Sequence, residues 1–131
     1  MVSILELRRI AKGRLRDAEI LLAAGRYDGA IYPCGYAVET ALKARICRTL
    51  KWPGYPSTRR EFEGFQSFRT HDLDILLHLS GIENKIKTNH FDAWNTVVNW
   101  DPNVRYSAIG STSSQEAADM IQSTKALLGV L

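Results

Sequence analysis

Hydrophobic residues recur at three- and four-residue steps through most of the chain, which is the pattern of amphipathic helices. In the first stretch, from about Ser3 to Ala24, the recurring apolar positions are Ile4, Leu7, Ile10, Ala11, Leu15, Ala18, Leu21 and Leu22. Gly25 follows this stretch, and glycine often ends a helix because it adopts the left-handed conformation without strain. The pattern therefore predicts a first helix over residues 3–24.

The second stretch, from Asp28 to about Leu50, is apolar around most of its circumference, which is typical of a central helix. Asp28 is predicted to cap its N-terminus. Pro33 lies near the start, where it removes one backbone hydrogen bond and is expected to bend the first turns. Cys34 and Cys47 would lie about 20 Å apart along this helix, which excludes a disulfide between them.

Residues 51–69 interrupt the periodicity with two prolines and two glycines. A loop of this length is unusual in a small domain, so the segment is expected to be a functional lid or to contain a short helix. A third helix is predicted from Thr70, as its cap, to about Leu79, with Gly81 closing it.

The fourth predicted helix runs from about Glu83 to Asn99 and is followed by a polar loop. Ser113 and Glu116 have the spacing of a capping box, which predicts the start of a fifth helix that ends near Leu128. No segment shows convincing strand alternation. The predicted fold class is all-α, an up-and-down helical bundle of about five helices.

Length and composition favour one domain over residues 1–131, because 45% hydrophobic residues suit a single core. Charged residues interrupt the apolar pattern at the N-terminus, unlike the continuous apolar core of a signal peptide. No run approaches the roughly 20 apolar residues that span a bilayer. A soluble, cytoplasmic protein is therefore expected.

The net charge of +3 is unevenly distributed along the chain. Residues 1–60 contain twelve Lys and Arg against five Asp and Glu, whereas residues 61–131 contain five against nine. The basic half either faces phosphates or attracts the acidic half. The candidate nucleic-acid surface in this half is the polar face of the first helix, which is formed by Arg8, Arg9, Lys12 and Arg16. The alternative interpretation is an ordinary solvated helix face.

The segments RLRDAEILL (14–22), GRYDGA (25–30) and GYAVETALKA (35–44) are similar to the opening helix pair of the HEPN family. The segment THDL (70–73) is similar to the start of a later helix, and Trp100 followed by Arg105 and Tyr106 resembles an element found after the fourth helix. The resemblance covers most of the chain in the expected order.

This resemblance implies a helical bundle that is usually dimeric through its first helices. Many family members act beside a minimal nucleotidyltransferase in two-component, toxin–antitoxin-like modules, and active members are metal-independent RNases. Those RNases carry an arginine, a polar residue and then a histidine within a few positions. None of His71, His78 and His90 follows an arginine at that spacing. We therefore expect a non-catalytic homodimer without a cofactor, associated with a nucleotide or RNA and possessing a nucleotidyltransferase partner.

A polar stripe on the second helix is the first candidate ligand site. Tyr36, Glu39 and Lys43 fall on one face, and Glu39 with Lys43 has the favourable spacing for an ion pair. A charge on an otherwise apolar helix needs partners, and Arg105 is the expected one for Glu39. That ion pair would either hold the segment around Arg105 against the second helix or form part of a ligand pocket.

Trp100, Arg105 and Tyr106 form the second candidate site, because aromatic and guanidinium groups stack on bases and bind phosphates. The alternative is that the aromatic residues plug the core.

His71, Asp74 and His78 have the spacing of one helical face, yet about 10 Å of rise separates the histidines. No metal site is therefore predicted. Two further functions stay open. One is a metal-independent RNase that uses Arg69, His71 and Arg105 in a non-standard arrangement. The other is a structural dimerisation module without a ligand.

Overall fold

The computed structural model describes residues 1–131 and is predominantly helical, which confirms the all-α prediction. Its six α-helices are α1 (Ile4–Ala23), α2 (Tyr27–Leu50), α3 (Leu73–Leu79), α4 (Glu83–Asn89), α5 (Phe91–Val97) and α6 (Ser114–Leu128). Two short 3-10 helices, Gln66–Phe68 and Pro102–Tyr106, lie in the connections.

The central position predicted for the second helix is confirmed. Helix α2 packs against α1, α3 and α6, and buried residues extend along nearly its whole length. Pro33 lies inside this helix and is itself buried. Cys34 and Cys47 are both buried and free, as the helical spacing requires. Most of the core is therefore built around one helix, which also carries the polar stripe described below.

Helix α1 lies against the central helix with the predicted apolar face inward. Leu7, Ala11 and Ala18 are buried. The Ser3 hydroxyl accepts a hydrogen bond from the Glu6 backbone N–H at 3.1 Å and caps the helix. Gly25 ends it with a φ of 74°, the left-handed conformation that the sequence predicted.

Two predicted helix starts differ from the structure. Helix α2 begins at Tyr27 with Arg26 as the N-cap, so Asp28 lies inside the first turn. Its carboxylate binds backbone N–H groups of a distant loop instead of its own helix. The cap of α3 is Asp72 rather than Thr70, since the Asp72 carboxylate accepts from the N–H groups of Asp74 and Ile75.

The predicted fourth helix is divided into α4 and α5. The break lies at His90, whose φ of −134° and ψ of 35° are not helical. His90 ends a run of three poor helix formers, Thr88, Asn89 and His90, so little local preference opposes the break. The bundle therefore contains six helices where the sequence predicted about five.

The structure contains one small sheet, which the sequence did not predict. Strands β1 (Val2–Ser3) and β2 (Gly54–Tyr55) pair antiparallel, with Val2 opposite Tyr55. Two residues are too few for an alternating pattern to be visible in the sequence.

Aromatic side chains fill the segment of residues 51–69. Trp52 packs against Tyr55, Phe65 and Phe68, with ring centroids 4.9 to 6.4 Å apart. Tyr55 is buried, and its hydroxyl donates a hydrogen bond to the Phe68 carbonyl at 2.5 Å. The segment thus has its own small aromatic core, and its short 3-10 helix matches one of the two expectations for it.

None of the six helices combines the length and the apolar character needed to cross a bilayer.

Candidate functional site

One face of α2 carries four polar side chains in register. Tyr32, Tyr36, Glu39 and Lys43 lie at steps of four, three and four residues, which places them along a single helical stripe. Two segments distant in sequence meet this stripe, since His71 binds Glu39 and Arg105 binds Tyr32. We call these six residues the Tyr–His site.

Glu39 is the buried centre of the site, with a side chain only 6% exposed. Lys43 donates to its Oε2 atom at 3.1 Å, which confirms the predicted pairing of Glu39 and Lys43. His71 Nδ1 lies 2.7 Å from its Oε1 atom. A buried carboxylate is tolerated when such partners compensate its charge, so these two contacts account for an acidic group inside the bundle.

His71 is oriented by the same carboxylate. Lys43 donates to one oxygen of Glu39, and a carboxylate offers only acceptors, so we assign Nδ1 of His71 as the donor to the other oxygen. The other ring nitrogen, Nε2, is left for a ligand, on a side chain that is 60% exposed. An imidazole held by a carboxylate in this way can bind a phosphate or transfer a proton.

Tyr32, Tyr36 and Arg105 form the other half of the site. The two phenolic oxygens are 3.3 Å apart, and Arg105 Nη1 donates to the Tyr32 hydroxyl at 3.2 Å. These hydrogen bonds, with Tyr36 as the larger cause, lower the pKa of Tyr32. The bond to Tyr32, together with burial, raises the pKa of Tyr36 to about 12. Tyr36 therefore keeps its proton at neutral pH.

The expected ion pair between Glu39 and Arg105 does not form. Glu39 is occupied by Lys43 and His71, while Arg105 lies on the surface against Tyr32 and over the Tyr106 ring at 4.8 Å. The hydrogen bond with Tyr32 raises the pKa of Arg105 further above its usual value. Arg105 therefore carries a permanent positive charge at the rim of the site and is not the counterion of Glu39 in its interior.

Trp100 lies beneath the site. It is only 6% exposed, and its ring packs against Tyr36 at a centroid distance of 5.0 Å. A Cβ atom at Gly35 would lie 1.8 Å from the indole, so the glycine makes this packing possible. Of the two roles considered for Trp100, the structure places it in the core, whereas Tyr106 is 75% exposed and free to stack.

Arg69 and His78 lie apart from these contacts. The Arg69 guanidinium stacks on Phe62 at 5.7 Å, and His78 lies 3.5 Å from Glu83. Because α3 begins at Leu73, His71 is not on that helix and does not share a face with His78. No group of three or more His, Cys, Asp and Glu side chains is close enough to hold a metal ion.

The candidate nucleic-acid surface lies on the outer side of α1. Arg9, Lys12 and Arg16 are exposed, and Arg9 has only a loose ion pair with Glu6 at 3.8 Å. Arg8 is partly buried and donates from Nη2 to the Leu131 carbonyl at 3.2 Å. Most of this predicted surface is thus available to a polyanion.

A surface groove of about 780 Å³ is formed by residues of α1 and α2, beside the Tyr–His site. Tyr32 and Tyr36 line both the groove and the site. Ile20 of α1 also lines the groove and is 52% exposed, and an Arg14–Asp17 ion pair of 3.2 Å lies at the same surface.

The fold and the site together define a small helical-bundle protein with a cationic and aromatic surface site. The family model of the HEPN domain matches residues 4–60, which contain α1, α2 and β2. This match confirms the resemblance to HEPN domains in that part of the chain and supports a nucleotide- or RNA-related function. Comparisons with curated proteins and with solved structures gave no match. His71 and Arg105 lie outside the matched segment.

The roles of two residues that make contacts in or near the site were not identified from the sequence. Tyr32 stands one helical turn before Tyr36, so the spacing that identified the polar stripe contained the signal for it. Asp28 was interpreted as a cap, and no local pattern indicates that it binds Gly110 and Thr112.

Proposed function

We propose that this chain is a non-catalytic, nucleotide- or RNA-associated protein that binds a phosphate group of its ligand at the Tyr–His site. The observation that carries the proposal is that His71 and Arg105 both reach the stripe on α2 that also carries Lys43. The Tyr32–Tyr36 hydrogen bond and the contact of the Tyr36 and His71 rings join the two halves of the site. Ring nitrogens, ammonium groups and guanidinium groups are the donors that proteins use for phosphate. The buried Glu39 holds two of these donors in place, which reduces the entropy lost on binding.

The basic outer face of α1 extends the same function. Arg9, Lys12 and Arg16 would contact further phosphates of an RNA strand without reading its sequence. Tyr106, exposed and stacked with Arg105, offers an aromatic face for an unpaired base. This arrangement favours single-stranded RNA or a free nucleotide over a duplex.

Equilibrium binding tests the proposal. Fluorescence anisotropy with a labelled single-stranded RNA pool, and calorimetry with ATP and GTP, would be measured in EDTA. Arg105→Ala is expected to weaken binding by at least about tenfold, since a hydrogen bond to a charged group contributes roughly 1.5–3 kcal/mol. Arg59→Ala removes an exposed arginine elsewhere and is the matched control. Equal affinities of the two variants would contradict the proposed site.

A metal-independent RNase is the second candidate, and the geometry of His71 favours it. A histidine with Nδ1 bound to a carboxylate and Nε2 open is suited to general acid–base chemistry. Cleavage of the labelled pool in EDTA, lost in His71→Ala and retained in His78→Ala, would establish this activity. Arg69→Ala is expected to have no effect, because Arg69 stacks on Phe62 away from these contacts. Binding without cleavage would leave the non-catalytic role.

We further propose that the groove between α1 and α2 is covered by a second copy of the chain. The half-exposed Ile20 provides an apolar contact. Arg14 and Asp17, as opposite charges on one surface, can pair with their symmetry mates across a two-fold axis. Such a dimer would place Tyr32 and Tyr36 of both copies near the interface.

Light scattering after size-exclusion chromatography tests the dimer. Ile20→Glu is expected to yield a monomer, whereas Ile75→Glu changes a comparably exposed isoleucine on α3 and should leave the mass unchanged. A wild-type monomer at all concentrations would refute the interface. A pure dimer without ligand or cleavage would instead favour a structural dimerisation module.

A minimal nucleotidyltransferase is the proposed protein partner, and the family match alone supports it. Co-expression of the two chains, followed by affinity purification of one, would show whether they form a stable complex.

A further inference from the structure

The loop that carries Arg105 into the Tyr–His site is attached to α2 at two points. Residues 107–113 connect the 3-10 helix Pro102–Tyr106 to α6 and are almost entirely exposed. Ile109, in the middle of the loop, is fully exposed and makes no contribution to the core. Packing therefore does not hold residues 107–111, whereas the preceding 3-10 helix, which contains Arg105, packs on α2 and has Val104 partly buried against the core. The position of the exposed residues comes from polar contacts.

Asp28 supplies these contacts. Its Oδ2 atom accepts the Gly110 backbone N–H at 2.6 Å, and its Oδ1 atom accepts the Thr112 N–H at 2.8 Å. The two backbone donors lower the pKa of Asp28, as expected for a carboxylate stabilised in its charged form. Gly110 has a φ of 86°, which lets the chain turn so that both N–H groups point at one side chain.

The second attachment lies one helical turn further along α2. Tyr32 follows Asp28 by four residues and accepts the hydrogen bond from Arg105. Asp28 and Tyr32 therefore bind the two ends of residues 105–112 from adjacent positions on the same helical face. Arg105 is exposed, and a single surface hydrogen bond is a weak restraint on a long side chain.

We propose that Asp28 is a positioning residue that holds residues 105–112 against α2, so that Arg105 stays in the Tyr–His site. It touches no ligand itself and acts only through the loop. The inference rests on the proposed function in one respect, the role of Arg105 in phosphate binding. The attachment of the loop by Asp28 is independent of that role.

A double-mutant cycle with the labelled single-stranded RNA pool tests the coupling. Asp28→Ala is expected to weaken binding about as much as Arg105→Ala, by roughly tenfold, because the released loop no longer presents the guanidinium. The double variant should bind no more weakly than Arg105→Ala alone, since both changes remove the same contact. Asp92→Ala, which removes an exposed aspartate from the first turn of α5, is the matched control. Additive losses in the double variant would overturn the positioning role.

Amide hydrogen exchange measured by NMR tests the attachment without any ligand. In Asp28→Ala the Gly110 and Thr112 amides should exchange faster, while amides in the middle of α2 keep their protection. Asp28→Asn, which retains one acceptor oxygen, should restore part of the protection. Unchanged exchange at Gly110 and Thr112 would overturn the attachment. If wild-type protein binds neither RNA nor nucleotide, the proposed function fails, and the exchange rates alone decide whether Asp28 holds the loop.

Discussion

Replacing Gly35 with alanine tests the packing beneath the Tyr–His site. A Cβ atom there would lie 1.8 to 2.2 Å from three atoms of the Trp100 indole, far inside contact distance. Since Gly35 is inside α2, the helix cannot move away without disturbing α1 and α6. The indole must therefore leave its position.

The size of the effect follows from two opposing terms. Losing the packing of a buried tryptophan costs about 3–5 kcal/mol, as in truncation to alanine. Alanine in place of glycine inside a helix recovers about 1 kcal/mol. The net loss in the free energy of unfolding is therefore about 2–4 kcal/mol, a large share of the stability of a small domain.

Urea unfolding followed by circular dichroism measures this loss. Gly13→Ala is the control, because a Cβ atom at Gly13, inside α1, would meet nothing within 4 Å. Alanine at that position should therefore stabilise by up to about 1 kcal/mol. Opposite signs for the two variants are expected. A Gly35→Ala protein as stable as the wild type would refute the close packing of Trp100 on α2.

Three further changes probe other parts of the fold. Tyr55→Phe leaves the Phe68 carbonyl without its donor and should cost about 1–3 kcal/mol in urea unfolding; an unchanged midpoint would contradict that contact. Ser113→Ala removes the capping box of α6 and should cost about 0.5–2 kcal/mol, whereas the neighbouring Ser114→Ala should be nearly neutral by thermal unfolding. Burial raises the pKa of Cys34 from 9.0 in the unfolded chain to about 11 in the folded protein. Between these two pH values the thiol ionises only in the unfolded chain, so the free energy of unfolding should fall as the pH rises through this range. Its reaction with a thiol reagent at pH 8 should be slow in folded protein and fast in urea, and equal rates would argue against its burial.

Long periodic helices were predictable because their own residues specify them. The apolar face of α1, its end at Gly25 and the capping box at Ser113 are local signals, and the structure contains all three. The break at His90 was not predictable, since nothing in the residues around it forbids a continuous helix. Strands of two residues are likewise too short to leave a pattern.

The candidate site shows the same division between local and distant information. The pairing of Glu39 with Lys43 follows from helical spacing and is present. The second partner of Glu39 depends on which distant hydrogen-bond donor the fold brings to it, and His71 and Arg105 lie 32 and 66 residues further along the chain. Asp28 shows that a local signal can also mislead. Its side chain was expected to cap its own helix, but it accepts a hydrogen bond from the distant Gly110 N–H instead.

The packing of Trp100 beneath Tyr36 also gives the protein a built-in optical probe. The indole lies 5.0 and 6.4 Å from the rings of Tyr36 and Tyr32, so a change in either tyrosine alters the surroundings of the fluorophore. The other two tryptophans report on different regions, Trp52 on the aromatic core of residues 51–69 and Trp94 on α5. A variant with both replaced by phenylalanine would emit from Trp100 alone. Its emission would then follow occupancy of the Tyr–His site in real time, without any attached dye.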